Sequence, residues 1–115
     1  MARIVTRSFS FKRGGTFRAA FTMFHEDKIT PKNLEGYVFQ SALESEARGE
    51  IRLPFNEDES DLAHGRFVFL VDDTEDWQLG SYEWDFVITD PNGFVDPFPR
   101  DQNWFVKVIE GPTLT

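Results

Sequence analysis

The chain has 115 residues, of which 40% are apolar and 16% aromatic, and its formal net charge at pH 7 is −8. This length fits one domain over residues 1–115, and the aromatic content is high enough for a real core, which argues against an intrinsically disordered chain. The absence of cysteine excludes disulfides and thiolate metal sites and fits a reducing compartment. Since no apolar run has the length of a membrane span and the first residues lack a signal peptide, the sequence predicts a soluble protein made in the cytoplasm.

Charge is unevenly distributed along the sequence. The first 25 residues hold five basic side chains and no acidic ones, whereas the rest of the chain carries seven basic and all twenty acidic residues. The five basic residues are Arg3, Arg7, Lys12, Arg13 and Arg18. Two interpretations stay open: a basic segment that docks on an acidic surface, including a second copy of the chain, or solvent-facing residues of the first two strands. We expect no nucleic-acid partner, because these residues lie in no nucleic-acid-binding motif and the acidic remainder would repel phosphate.

Short apolar segments with a period of two, separated by turn residues, predict strands along the whole chain. In chain order the predicted strands lie at 3–11, 17–23, around 37–39, at 51–55, at 67–71, in a hairpin over 79–95 and at 104–109. The acidic segment 56–61 could hold one helical turn, and no segment has the length or periodicity of a helix that connects parallel strands. About seven strands at a spacing near ten residues predict an all-β antiparallel sandwich.

The segment Leu79–Val95 gives the clearest local signal. Between Ser81 and Thr89 the large apolar residues fall on one parity and mostly polar residues on the other, so one face of this strand should be buried. The buried parity consists of Tyr82, Trp84, Phe86 and Ile88. Asp90-Pro91-Asn92-Gly93 then supplies a turn, because Asn-Gly tolerates positive φ, and Phe94 begins the return. The sequence therefore predicts a hairpin whose inner face packs against a second sheet.

The sequence contains none of the usual catalytic or metal-binding patterns. His25 and His64 lie beside loop signals, far apart in sequence, and have no partners at a ligand spacing. The acidic clusters at 57–61 and 72–76 lack the central glycine and the final glutamate of an EF-hand loop, so we interpret them as solvated turns. There is no nucleophile motif and no phosphate-binding loop. We therefore expect no enzyme activity, no metal and no cofactor.

Aromatic side chains supply the binding candidates. Trp84 lies on the inner parity of its strand and should belong to the core. Trp77 lies in a polar loop and is the best candidate for an exposed aromatic, although a loop tryptophan can also close the end of a sandwich. Trp104 begins the last strand, where a core position and an interface position are both open. Phe98 lies between two prolines, which mark an edge or a protruding loop, so we expect an exposed anchor for a partner.

Several short motifs follow one another in a distinctive order. They are Arg13-Gly14-Gly15-Thr16, Leu34-Glu35-Gly36-Tyr37, Gly49–Leu53, Gly65–Leu70, Asp73-Thr74, Gly80–Asp85 and the turn Asp90–Gly93. This order resembles the small immunoglobulin-like β-sandwich of tailed-phage virions, best known as the amino-terminal domain of siphophage baseplate upper proteins. The most specific part is Gly80–Asp85 with the turn after it, which is similar to the family's GxYxxD strand and DxxG turn. The chain departs from the family at Gly15, where an acid is usual, and at 97–103, which replaces a glycine turn.

The resemblance implies an immunoglobulin-like sandwich with a structural role in the virion and implies no catalytic residues. We expect a non-enzymatic tail, baseplate or adaptor component that joins other virion proteins and forms a homo-oligomer or symmetric assembly through strand edges and loops. It would be made in the host cytoplasm, with no membrane or nucleic-acid partner. The alternatives are a capsid decoration protein and a carbohydrate- or receptor-binding module. The candidate partner-binding residues are Arg3, Arg7, Lys12, Arg13, Trp77, Phe98 and Trp104.

Overall fold

The computed structural model of the chain describes residues 5–100 and 102–111, the first three of them by backbone alone. Within these residues the chain forms eight β-strands and one short 3-10 helix. The strands are β1 (Val5–Lys12), β2 (Phe17–Thr22), β3 (Val38–Ser45), β4 (Gly49–Leu53), β5 (Arg66–Val71), β6 (Gly80–Thr89), β7 (Val95–Phe98) and β8 (Gln102–Ile109). The 3-10 helix covers Leu62–His64, so the helical turn follows the acidic segment 56–61 and does not lie within it. No helix in the described part of the chain is long and apolar enough to cross a membrane.

The strands form two sheets that pack face to face. The larger sheet has the order β1-β8-β6-β3-β4, with β7 also paired to β6, and the smaller sheet pairs β2 with β5. Main-chain hydrogen bonds from Leu70 to Pro54 (3.0 Å) and from Asn56 to Val68 (2.8 Å) add the segment 54–56 to the other side of β5. Neighbouring strands are antiparallel except β1 and β8, which run parallel. The predicted all-β, immunoglobulin-like sandwich is confirmed.

Strand β6 is the long inner strand of the larger sheet and shows the predicted alternation. Its inward side chains are all buried: Tyr82, Trp84, Phe86 and Ile88. The hydroxyl of Tyr82 donates a hydrogen bond to the carbonyl of Gln78, four residues upstream, at 2.7 Å. This contact is the tyrosine corner of immunoglobulin-like sandwiches, in which a tyrosine near the start of a strand fixes the loop that enters it. The corner therefore anchors the loop before β6 to the core.

Replacing Tyr82 with phenylalanine removes this hydrogen bond and keeps the ring in the core. We expect the Tyr82→Phe variant to lose about 1 kcal/mol of unfolding free energy, because a hydrogen bond of this kind contributes roughly 0.5–1.5 kcal/mol. Denaturant titration at pH 7 measures the difference. Tyr37→Phe is the matched control, since it removes a hydroxyl from a half-buried ring outside the corner. Equal losses in the two variants would contradict a special role for the corner.

The core between the sheets is largely aromatic. The fully buried ring of Phe67 on β5 lies with its centroid 4.7 Å from that of Phe39 and 5.5 Å from that of Phe86, both in the larger sheet. Trp84 also buries a polar atom, and its Nε1 donates to the hydroxyl of Ser41 at 2.9 Å. Since buried polar atoms need partners, this pair lets an indole and a hydroxyl lie within an apolar core. The two sheets are therefore held by ring packing across the interior.

A buried threonine joins the first turn of the chain to the loop before β6. The Thr74 hydroxyl donates to the carbonyl of Gly15 (2.6 Å) and accepts from the main-chain N–H of Gly14 (2.9 Å). The side chain is fully buried, so both bonds are shielded from water. The β1–β2 turn is consequently fixed on the end of the sandwich where β6 starts.

Candidate functional site

Of the predicted basic residues, Lys12, Arg13 and Arg18 have side chains that the structure describes, and both arginines lie near acidic partners. Arg3 lies outside the described residues, and Arg7 is described by its backbone in β1. Lys12 is exposed at the end of the same strand. Arg18 on β2 pairs with Glu59, with 3.3 Å between Nε and a carboxylate oxygen. Some of the early positive charge is therefore balanced within the chain.

Trp77 is buried and closes the end of the sandwich, which is one of the two positions that the sequence left open, whereas its prediction as an exposed partner-binding residue is wrong. Its side chain is 7% exposed, and its ring centroid lies 5.3 Å from that of Phe11 and 5.5 Å from that of Phe17. The Trp77 carbonyl accepts a hydrogen bond from Nη1 of Arg13 (3.3 Å), and Nη2 of this arginine lies 3.7 Å from Glu110. The loop turns the indole inward because it closes the end of the apolar core. Arg13, a second predicted partner-binding residue, is engaged in holding that closure.

Phe98 folds back onto the sandwich, which corrects the prediction of a protruding anchor. Residues 95–98 form β7, in which Phe98 pairs with Phe86 and Pro97 pairs with Val87 of β6. The Phe98 ring stacks on that of Phe86 with centroids 5.2 Å apart and planes at 14°. The guanidinium of Arg100 covers it at 4.8 Å from the ring centroid. Proline is tolerated on this short strand, and pairing with β6 points the phenylalanine inward.

Trp104 is partly buried against the core and also lines an open cleft, so the core position is shown in part and the interface position stays a prediction. Its half-buried ring lies 5.2 Å from that of Trp84 and is nearly parallel to that of Phe21 at 5.9 Å. Its Nε1 donates to Oε1 of Gln102 at 3.0 Å. The cleft, called here the aromatic cleft, has a volume of about 570 Å³ between β1, β8 and β2. Its lining consists of Phe9, Phe17, Arg18, Ala19, Ala20, Phe21, Trp84, Gln102 and Trp104.

Exposed large apolar side chains lie on several segments at the end of the sandwich where β2 and β6 end, since Phe21 near the end of β2 packs on Phe86 near the end of β6. This surface, called here the apolar end, consists of Phe24, Ile29, Val38, Phe94 and Val95. Ile29 in the β2–β3 loop is 80% exposed, and Phe94 after the β6 turn is 72% exposed. Val38 and Val95 lie on either side of Thr89 in the sheet register, at the end of β6. Because soluble monomers rarely expose large apolar groups together, the apolar end is a candidate interaction surface.

Two aspartates hold the loops that present these side chains. Oδ1 of Asp27 accepts the main-chain N–H groups of Ile29 and Thr30 (2.8 Å each), and Oδ2 accepts the Thr30 hydroxyl (2.6 Å). The hydroxyl bond, followed by the two main-chain bonds, lowers the pKa of Asp27 to about 2. Oδ1 of Asp90 accepts the main-chain N–H of Phe94 at 2.9 Å. Loops ordered in this way lose less conformational entropy when they dock on a partner.

Two of the motifs noted in the sequence meet at the apolar end. Gly36 has φ +84°, and a Cβ on it would lie 3.3 Å from Cγ of Pro91 in the hairpin turn. Glycine thus allows the loop before β3 to approach the turn after β6 closely. Ile29 and Phe94 are not among the partner-binding residues predicted from the sequence. The available signal was a large apolar residue inside a polar turn, where no strand or helix periodicity places it in the core.

The outer face of the larger sheet is acidic. Burial raises the pKa of Asp85, and the nearby carboxylates of Glu44, Glu83 and Glu50 raise it further. A folded-state pKa above the unfolded value means that the folded chain binds the proton more tightly. The stabilising effect is therefore complete below the unfolded pKa and is lost as the pH rises through the folded pKa. No group of three or more His, Cys, Asp or Glu side chains placed to hold a metal ion is found among the residues described.

Removing the charge of Asp85 should make the protein more stable at neutral pH. We expect Asp85→Asn to unfold at a higher denaturant concentration than the wild type at pH 7, because the amide carries no charge beside the three glutamates. The difference should shrink as the pH falls, because the raised pKa makes Asp85 take up a proton at a higher pH than an ordinary aspartate. Denaturant titrations at pH 4 and pH 7 test this. Asp58→Asn, in an exposed loop, is the control. If Asp85→Asn were less stable than the wild type at pH 7, the charge of Asp85 would not be unfavourable in the folded chain.

The chain is similar in structure to a domain of a phage protein. The match is to the N-terminal domain of phage TP901-1 ORF48, with 17% sequence identity and a TM-score of 0.45. It covers 91% of this chain and 83% of that chain. No protein-family model matches the sequence, and no curated protein matches it either.

Proposed function

We propose that this chain is a non-enzymatic structural protein of a tailed-phage virion, a tail, baseplate or adaptor component present in several copies. It docks on another virion protein through the apolar end. The observation that carries this proposal is the exposure of Ile29 and Phe94 at one end of the sandwich, on loops that Asp27 and Asp90 hold in place. Such a surface suits a rigid module that adds to a larger assembly.

The phage context rests on the order of motifs along the chain. Leu34-Glu35-Gly36-Tyr37 and the turn Asp90–Gly93 resemble motifs of the virion sandwich family, and Gly36 and Pro91 lie side by side at the apolar end. The tyrosine corner at Tyr82 lies in the most specific motif, Gly80–Asp85. The residues that carry the resemblance are thus used to build the sandwich and to shape its docking end.

The energetics favour docking by the apolar end. Complete burial of a leucine- or phenylalanine-sized side chain contributes about 1.5–3 kcal/mol relative to exposure. Ile29 and Phe94 are both largely exposed, so a partner that covers them gains much of this energy from each. Large apolar side chains that fill pockets at the centre of a contact commonly dominate its binding energy. The apolar end therefore has the composition of an interface core.

A carbohydrate- or receptor-binding module is the second candidate, and the aromatic cleft is the observation that favours it. Trp104 and Phe9 are partly exposed there, next to the polar side chain of Gln102. An open aromatic surface beside a hydrogen-bonding amide can stack on a sugar ring. A glycan array probed with the purified chain tests this candidate. Specific binding that Trp104→Ala abolishes would favour it over docking within the virion.

The experiment that tests the proposed function is an inventory of the phage particle. Particles of the phage that carries the gene are purified by density gradient, analysed by mass spectrometry and labelled with antibody–gold against this chain. We expect its peptides in the particle, at several copies, and label on the tail or baseplate. Label on the head would instead support a capsid decoration protein. Absence from purified particles would overturn the proposal of a virion protein.

A further inference from the structure

We propose that two copies of this chain pair through the free edges of their β2 strands, across a twofold axis that passes near Ala20. The inference deepens the proposed function, on which it rests for its assembly role, by naming one edge and its occupant. The occupant is β2 of a second copy, and the contact would join the two small sheets into one.

The alternation of hydrogen-bonded and non-hydrogen-bonded residue pairs in the small sheet shows which main-chain groups of β2 face outward. The N–H of Met23 donates to the carbonyl of Gly65 (2.9 Å), and this bond continues the antiparallel register of β2 and β5. Because hydrogen-bonded and non-bonded pairs alternate, Phe17, Ala19 and Phe21 direct their main-chain groups towards β5. The outward groups belong to the intervening residues Arg18, Ala20 and Thr22. No strand pairs with this edge among the residues that the structure describes.

Hydrogen bonds on the side of β5 that faces away from β2 support this assignment of outward residues. Val68 lies opposite Ala20, and Leu70 lies opposite Arg18. The carbonyl of Val68 and the N–H of Leu70 bond to the segment 54–56, so these residues direct their main-chain groups away from β2. Their partners Ala20 and Arg18 therefore direct their own main-chain groups away from β5, towards the free edge of β2. The edge thus presents a continuous row of donors and acceptors that matches the row on any other β-strand.

A twofold axis at Ala20 pairs side chains that fit one another. In that register Arg18 lies opposite Thr22 of the second copy, and Ala20 lies opposite its own equivalent. On the inner face each Phe21 lies opposite the small Ala19 of the other copy. No like charges are directly opposed, and Arg18 is already paired with Glu59. About six main-chain hydrogen bonds are available, two for each of the three outward pairs.

The β2 edge has fewer protecting features than other edges of this sandwich, because its one charged residue, Arg18, is paired with Glu59 of the same chain. The edge strand β4 carries Glu50 and Arg52 and is followed by Pro54, and β7 contains Pro97. Charged side chains and prolines are the usual means of preventing strand addition. The β2 edge has no proline, and it borders the aromatic cleft, where Phe21 and Trp104 are partly exposed. A second copy would cover both the free main chain and part of this apolar surface.

The test is an Ala20→Pro variant with Ala20→Thr as its matched control. Proline removes the outward N–H of Ala20 and leaves the bonds from β2 to β5 intact, so the fold should be retained. Sedimentation velocity of the full chain over a range of concentrations measures association. We expect the wild type and Ala20→Thr to dimerise. The dissociation constant of the Ala20→Pro dimer should be at least about tenfold higher, because both central hydrogen bonds are lost. Circular dichroism confirms that each variant is folded.

Amide hydrogen exchange of the wild type is the second readout and needs no variant. We expect the amides of Ala20 and Thr22 to exchange more slowly at concentrations where the dimer forms, whereas the amide of Ala19 is protected at all concentrations. A wild type that is monomeric throughout, or a dimer that Ala20→Pro leaves intact, would overturn the inference. A dimer lost in Phe94→Ser and kept in Ala20→Pro would likewise overturn it, by placing the contact at the apolar end. The particle inventory is independent of these results, so the virion proposal and the β2 pairing fail separately.

Discussion

The Phe67→Ala variant should lose about 3–5 kcal/mol of unfolding free energy, because truncating a buried phenylalanine removes its transfer energy and leaves a cavity. Phe67 is fully buried between the sheets, and its ring lies 4.7 Å from Phe39 and 5.4 Å from Phe21. Rings from both sheets therefore lose packing at once. Since a domain of this size is stable by roughly 5–15 kcal/mol, the variant should be close to unfolding at 37 °C.

Denaturant titration, monitored by tryptophan fluorescence, measures the loss of unfolding free energy. Phe94→Ala is the matched control, because it makes the same chemical change at a side chain that is 72% exposed. Its unfolding free energy should stay within about 0.5 kcal/mol of the wild type. A loss below about 1 kcal/mol for Phe67→Ala would contradict the assignment of this ring to the centre of the core.

The second large effect concerns assembly. We expect a chain with both Ile29→Ser and Phe94→Ser to be incorporated into phage particles at least about tenfold less than the wild type, because loss of two interface side chains removes roughly 3–6 kcal/mol of burial energy. Both positions are exposed, so the fold and its thermal midpoint should be nearly unchanged. Competition between tagged variant and tagged wild-type chains in infected cells, read by quantitative mass spectrometry of purified particles, gives the ratio.

Leu79→Ser is the matched control for this experiment. Leu79 is also an exposed apolar residue, but it precedes β6 and lies at the end of the sandwich opposite the apolar end. Its variant should be incorporated as well as the wild type. Equal incorporation of the Ile29/Phe94 double variant and the wild type would contradict docking through the apolar end.

The fold was largely predictable because apolar and polar residues alternate along a half-buried strand with a period of two. The inward residues of β6 from Tyr82 to Ile88 are buried as their parity predicts, and Asp90–Gly93 forms the expected turn. What could not be predicted is the pairing of strands distant in sequence. The parallel contact of β1 with β8 is one case, because periodicity says which face is buried and nothing about the neighbour.

The site was less predictable than the fold, for a related reason. Trp77 and Phe98 have loop and proline neighbours, which predict exposure, yet tertiary packing turns both rings towards the core. Ile29 and Phe94 show the opposite case, since each is a lone apolar residue in a turn and stays exposed. Local sequence does not determine whether an isolated aromatic side chain is buried in the core. That depends on contacts such as Phe98 with Phe86, which only the folded chain creates.

A density reconstruction of the phage particle is the decisive measurement of whether this sandwich is part of a virion and docks by its apolar end. We expect several copies of the sandwich in the tail or baseplate, each with Ile29 and Phe94 covered by a neighbouring virion protein. A particle without the sandwich, or one in which the apolar end faces solvent while another surface makes the contacts, would contradict this expectation.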